Sequence, residues 1–299
     1  MAVPVTAGRG QRAAAAARQL PGPPAEYDPQ LERIEVELLL EAVHRHYGFD
    51  FRSYAYASIR RRLWRRIEAE GVGTVSDLQA LVLHDRDAME RLLLDLSVSV
   101  TAMFRDPSLY AAFRSHVIPI LRTYPFIRLW HAGCSTGEEV YSMAILLEEE
   151  GLYDRSRIYA TDINEVVLEQ ARAGIFSLER MQEYTENYLR AGGTHEFSRY
   201  YTAGYGNAIF SPTLRRNVVF SQHNLVTDRS FAEFNVIFCR NVLIYFDKQL
   251  QHRVHALFYE SLVRFGILAL GSKESLKFSQ YEPCYEQIVP VEKLYRKVR

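Results

Sequence analysis

The chain has 299 residues, 48% hydrophobic and 24% charged, with 36 basic and 36 acidic side chains that cancel to a formal net charge of zero. That length predicts roughly two domains with a substantial core, and the zero balance gives no global field directed at nucleic acid or a membrane surface. Three cysteines (Cys134, Cys239 and Cys284), an odd number without C-x-x-C spacing, argue against a disulfide scaffold or structural zinc and for a reducing cytoplasm.

Residues 1–28 are rich in Ala, Arg, Gly and Pro, bury too little to order themselves, and read as a flexible tail. Residues 29–98 read as a helical domain: Leu31 to Tyr47 is amphipathic and closes at Gly48, Tyr54 to Glu70 closes at Gly71, and Val75 to His84 and Arg86 to Ser97 follow. In the second of these helices Tyr56, Ile59, Leu63 and Ile67 share one sector. Arg61, Arg62, Arg65 and Arg66 share the other, so one face packs and one is basic. Arg60 falls in the apolar sector and is expected to snorkel or pair.

Residues 99–126 read as a linker and a helix, Asp106 to Tyr124, entered through Pro107. From 127 to 299 strands alternate with helices: Ile127 to His131, helix Glu138 to Glu150, Ile158 to Asp162, and helix Asn164 to Ala173 with an Asn cap and a terminal Gly174. Strands at Val218 to Ser221, Val236 to Cys239 and Ile267 to Leu270 follow, with a helix from Lys248 to Phe265 between the last two. A closing antiparallel pair is expected in Tyr285 to Val289 and Lys293 to Val298. Such alternation predicts an α/β, doubly wound parallel sheet. The aromatic and glycine-rich run from Tyr200 to Phe210 has hairpin chemistry and predicts a small β subdomain over about 196–217.

The run Leu129-Trp130-His131-Ala132-Gly133-Cys134-Ser135-Thr136-Gly137-Glu138-Glu139 carries the chemistry. Small residues after a strand let backbone approach a ligand. Two carboxylates in the next helical turn would repel a pyrophosphate, so the loop suits a cationic ligand such as S-adenosylmethionine better than a dinucleotide. Asp162, 25 residues beyond Gly137, stands at the next strand end, where a carboxylate grips a ribose.

Five segments in order resemble the chemotaxis receptor methyltransferase family, CheR. They are Ser99-Val100-Thr101-Ala102-Met103-Phe104-Arg105-Asp106-Pro107, Ala132 to Glu139, Ala160-Thr161-Asp162-Ile163, Gln222-His223-Asn224-Leu225, and Phe238-Cys239-Arg240-Asn241-Val242-Leu243-Ile244-Tyr245-Phe246, and the resemblance covers about residues 30–297. The resemblance implies a helical N-terminal domain, a Rossmann-like methyltransferase sheet and an inserted antiparallel β subdomain. It implies methyl transfer from S-adenosylmethionine to glutamate side chains of chemoreceptors, leaving S-adenosylhomocysteine and using no metal. Cofactor contacts then fall on Ser99, Thr101, Arg105, Glu138, Asp162, Asn224, Leu225, Arg240 and Asn241. The helix bearing Arg61, Arg62, Arg65 and Arg66 corresponds to the element that meets the acidic helical bundle of the receptor.

Departures from the family pattern are Met103 for a usual Phe, Val140 for a usual Pro, and Lys273 in Gly271-Ser272-Lys273-Glu274-Ser275, where relatives more often read His-Ser-Glu. The β excursion looks shorter than in relatives that dock on a receptor's pentapeptide tether, which predicts recognition without that tether. Catalysis is expected from Arg105 and Arg240, whose planar forks match a carboxylate, and from Tyr245 beside the sulfonium. The alternative is that Arg240 forms a structural pair with Asp247 and Tyr245 is core packing. His44 and His46, or His252 and His255, lack companion ligands at metal spacing. The partner is expected to be a chemoreceptor's cytoplasmic bundle bound by a monomer, with no nucleic acid and no membrane insertion. A different protein acceptor, or a non-catalytic adaptor, stays open at this point.

Overall fold

The computed structural model describes residues 27–97 and 101–299. The tail assigned to 1–28 thus lies almost wholly, and Ser99 entirely, outside the described residues.

Four helices come first: α1 (Pro29–Tyr47), α2 (Tyr56–Glu70), α3 (Val75–His84) and α4 (Arg86–Leu96). Local chemistry starts and stops them. Asp28 caps α1 through the Gln30 N–H, Thr74 and Asp77 form a reciprocal capping box on α3, and Gly48 and Gly71 end α1 and α2 in the left-handed conformation. Their apolar faces close on a core of Leu39, Val43, Leu63, Leu78 and Leu92. Arg60 pairs with Glu32 at 2.8 Å.

The segment read as one helix from Asp106 to Tyr124 is in three pieces, α5 (Pro107–Ala112), a π-turn over Phe113–Val117, and α6 (Ile118–Leu121). Pro119 has no N–H to return to the preceding turn, which accounts for the break. The sheet domain continues as β1 (Ile127–Ala132), α7 (Glu138–Glu149), β2 (Ser156–Asp162), α8 (Glu165–Ala173), β3 (Ile175–Ser177), α9 (Met181–Arg190), β4 (Tyr201–Gly204), β5 (Asn207–Phe210), β6 (Val218–Gln222), β7 (Phe234–Cys239), α10 (Lys248–Ser261), β8 (Leu262–Leu270), β9 (Tyr285–Val289) and β10 (Leu294–Lys297). Helix α10 stops four residues before the expected Phe265 because Leu262 is already paired with Phe234 of β7.

The main sheet runs β6-β2-β1-β7-β8-β10-β9, parallel from β6 to β8 and antiparallel through β10 and β9. It is a mixed, Rossmann-like α/β sheet. The chain steps outward from β1 to β2 and returns on the other side of β1 as β7, so the switch point lies between β1 and β7, where open sheets of this kind bind ligands. The small antiparallel sheet has order β3-β5-β4. Its third strand, Ile175–Ser177, pairs with Asn207–Ile209 and comes from outside 196–217, a long-range pairing that hairpin chemistry alone does not reveal.

Residues 53–55 tie the helical domain to the sheet domain. Ala55 N–H donates to the Tyr245 carbonyl at 2.8 Å, Asp247 N–H to the Ser53 carbonyl at 2.9 Å, and Tyr54 bridges Phe246. No helix among the described residues is long and apolar enough to cross a membrane.

Candidate cofactor and methyl-transfer site

A cleft of about 960 Å³, its open mouth included, lies at the carboxyl ends of β1, β2 and β7 and reaches residues 54, 96 and 97 of the helical domain.

The loop after β1 has three left-handed residues, Gly133 (φ 81°), Ser135 (φ 51°) and Gly137 (φ 94°). A Cβ on Gly133 would stand 2.6 Å from Cγ2 of Val242, so glycine there lets this loop and the β7–α10 loop approach each other. Asp162 braces the turn, accepting from the N–H of Ser135 at 2.9 Å and of Asn164 at 3.1 Å. Burial pushes its carboxyl above the usual range, against the pull of those N–H groups. Each carboxylate oxygen keeps a lone pair beyond these two bonds, enough to accept from a vicinal pair of ribose hydroxyls.

Consecutive residues on a helix point about 100° apart, and the first turn of α7 separates the two glutamates accordingly. Glu139 lines the cleft. Glu138, expected to hold the cofactor, does not. It is buried toward α9 and takes hydrogen bonds from Thr136 Oγ1, Tyr184 OH at 3.2 Å and Arg180 Nη1 at 3.3 Å. Of the two acids that the loop carries, Glu139 is the one on the cleft wall. Burial would raise the Glu139 carboxyl, but the His131 ring at 3.0 Å and Arg240 at 2.8 Å outweigh it and hold the group down at about 2.

Arg240, at the end of β7, lines the cleft with its side chain 2% exposed. Its guanidinium contacts Glu139, Asp106 Oδ2 at 2.6 Å and the Arg105 carbonyl at 3.2 Å. It does not pair with Asp247, which caps α10 through the Leu250 N–H. Through Nη1 and Nη2 Arg240 ties the 105–106 backbone to Glu139, while its buried Nε has no hydrogen-bond partner among the described residues. Arg105 also lines the cleft, between two left-handed residues, Phe104 (φ 50°) and Asp106 (φ 58°). Non-glycine residues in that region store strain of the sort found at functional sites.

Thr101, Asn224, Leu225, Asn241 and Tyr245 all line the cleft. Asn224 is set by an Asx turn to the Val226 N–H at 2.9 Å. Asn241 (φ 61°) is fixed by a residue the sequence reading did not weigh as a site residue, Glu274. The Glu274 carboxylate is 5% exposed and accepts four backbone N–H groups, from Gly271 at 2.6 Å, Asn241 at 3.0 Å, and Val242 and Leu243 at 2.8 Å each. Tyr54 and His223 complete the lining. Nothing in the local pattern marks Tyr54, which was read as the start of a helix that begins at Tyr56.

The basic face of α2 is narrower than expected. Arg62 is buried, with its guanidinium 4.5 Å from the centre of the Tyr245 ring and donating to the Leu96 carbonyl at 2.5 Å. It therefore sits at the seam of the two domains and not on the exposed face, because α2 is covered there by the sheet domain. Arg66 is largely buried between Asp95 and Glu70, leaving Arg61 and Arg65 exposed, the latter paired with Asp95. Cys134 and Cys239 are buried thiols pushed well above their ordinary pKa by burial, unlike nucleophilic cysteines.

The parallel sheet, the glycine turn at its switch point and the two cleft carboxylates define the class, an S-adenosylmethionine-dependent methyltransferase. The CheR methyltransferase S-adenosylmethionine-binding domain matches residues 99–289 and the CheR all-alpha domain matches 34–97, so the chain belongs to the CheR methyltransferase family. Cher3 of Pseudomonas putida is 53% identical over 264 residues, 88% of this chain and 97% of its own. The chemotaxis protein methyltransferase of Salmonella typhimurium is 30% identical over 253 residues (79% of this chain, 82% of its own), and that of Listeria monocytogenes 28% over 255 residues (83% and 92%).

Proposed function

We propose that this chain methylates glutamate side chains on the cytoplasmic helical bundle of chemoreceptors, forming methyl esters, with S-adenosylmethionine held in the cleft at the β1–β7 switch point. The observation that carries the reading is the pairing of a carboxylate-walled cleft with Arg105 on the same cleft wall. Glu139 and Asp162 suit a donor bearing an ammonium and a ribose, and Thr101, Asn224, Leu225 and Asn241 supply further walls. S-adenosylmethionine supplies a methyl group on a positively charged sulfur.

The acceptor carboxylate, with an ordinary pKa near 4.3, is already ionised at neutral pH. No general base is needed, and the residues act by alignment, a device capable of roughly 7–11 kcal/mol. Arg105 orients the incoming carboxylate with its planar guanidinium, and Tyr245 bounds the reaction space with its ring braced by Arg62. Arg240 keeps Arg105 in place through the 105 carbonyl and Asp106. Arg61 and Arg65 steer an acidic bundle toward the cleft. Recognition by a monomer without a pentapeptide tether belongs to the same reading and rests on the short hairpin of β4 and β5, turned at Tyr205-Gly206.

The test is incubation with methyl-labelled S-adenosylmethionine and a chemoreceptor cytoplasmic fragment, followed by alkali. Glutamate methyl esters release labelled methanol. Label absent from the fragment, or stable to base, rejects the reading.

A further inference from the structure

Beyond β8 the chain runs through residues 271–281, attached to the rest of the sheet domain at two points. The Glu274 carboxylate clips it to the backbone of 241–243, part of the cleft wall. Leu276, 2% exposed, packs into the cluster that holds Leu243 and Phe246. Ser279, 7% exposed, closes a turn within the segment, donating its N–H to the Leu276 carbonyl at 3.0 Å.

On either side of these anchors the loop presents Ser272, Lys273, Lys277 and Phe278 to solvent. Phe278 is 93% exposed at φ 64°. A bulky side chain in the left-handed region costs backbone strain, and an aromatic ring in water forgoes burial, so an unconstrained loop would relax both. Here the conformation is held: Glu282 accepts the Phe278 N–H at 2.9 Å, and Ser275 Oγ accepts the Lys277 N–H at 3.0 Å. Since Glu274 is buried and spent on backbone, the outer face of 272–278 carries two lysine charges and one outward ring, with the exposed Glu282 carboxylate bonded at the Phe278 N–H.

The same 241–245 segment is gripped by α2, through Arg62 over Tyr245. Two cationic surfaces, Arg61 and Arg65 on α2 and Lys273 and Lys277 on this loop, are therefore coupled to one stretch of cleft wall. We propose that the 272–278 loop is a second docking arm for the acceptor, taking the acidic face of a helical protein segment, with Phe278 seated among that segment's apolar side chains and Lys273 and Lys277 facing its carboxylates. This deepens the reading above and rests on it.

The experiment compares the full chain with K273E/K277E and with F278S, all of them solvent-facing substitutions. Calorimetry with S-adenosylhomocysteine reports the cleft, and transfer of alkali-labile methyl label to a chemoreceptor cytoplasmic fragment reports docking. Expected are cofactor Kd and saturating kcat within about twofold of wild type, with KM for the fragment raised about tenfold by the charge reversal and at least threefold by the loss of the ring. Wild-type KM in both variants overturns the docking arm while leaving the methyltransfer reading intact. A wild-type chain that leaves the fragment unlabelled rejects that reading instead. Loss of a sedimenting dimer in F278S with unchanged KM assigns the face to a second copy of the chain and also overturns the proposal.

Discussion

Glu274 offers the sharpest test of how the cleft wall is held. One oxygen accepts from Val242 and Leu243, the other from Asn241 and Gly271. Glu274→Gln keeps one accepting oxygen and turns an amide NH2 toward the other two donors, orphaning two backbone N–H groups. At about 1–3 kcal/mol for each buried polar group left unpaired, the cost is about 2–6 kcal/mol, and water entering beside cleft-lining Asn241 favours the lower half. With a urea m-value of about 3 kcal/mol/M for a chain of this size, the unfolding midpoint falls by about 1 M. The affinity for S-adenosylhomocysteine falls with it, because Asn241, Val242 and Tyr245 lose their common support. Glu274→Asp restores the charge but shortens the reach, and is expected to recover part of both losses. A Glu274→Gln protein with a wild-type midpoint and wild-type cofactor affinity would refute the view that this carboxylate supports the site.

Gly133→Ala puts a Cβ 2.6 Å from Val242 Cγ2 at φ 81°, so cofactor affinity should drop at least tenfold; adding Val242→Ala should recover the steric part but not the roughly 1–2 kcal/mol owed to the left-handed backbone. Equal affinities in the two variants would show that the close approach is immaterial. His255 is buried and its pKa is lowered to about 4, burial first and the His252 charge second. Unfolded chains bind its proton near pH 6.5, so its contribution is full above that pH and is lost as pH falls toward 4, by about 3 kcal/mol at about 1.4 kcal/mol per unit. Urea midpoints for wild type and His255→Gln between pH 7 and 4.5 should converge as pH falls, and parallel curves would count against it. Arg105→Ala should lower kcat at least a hundredfold, and normal turnover would remove Arg105 from the reaction.

What was legible in the sequence follows interaction range. Strands β1, β2 and β7 and the acid at the end of β2 are local patterns of apolar runs ending in small or acidic residues, and most expected positions lie on one cleft. Glu138 and Glu139 are indistinguishable by composition; only the helical start after left-handed Gly137, packed against α9, decides which faces the ligand. Arg62 looks like its arginine neighbours on a helical wheel, because a wheel contains no second domain to cover it. Arg240 is the fullest case. Its partners Glu139 and Asp106 lie 101 and 134 residues away along the chain, so spacing, which left open a carboxylate guide or a pair with Asp247, could not reveal the bonds that tie it to the 105–106 backbone. Under the proposed division of labour, with Arg105 binding and Arg240 holding, substitutions at each should separate accordingly: Arg240→Lys should loosen cofactor and acceptor binding together, whereas Arg105→Lys should weaken turnover more than cofactor affinity.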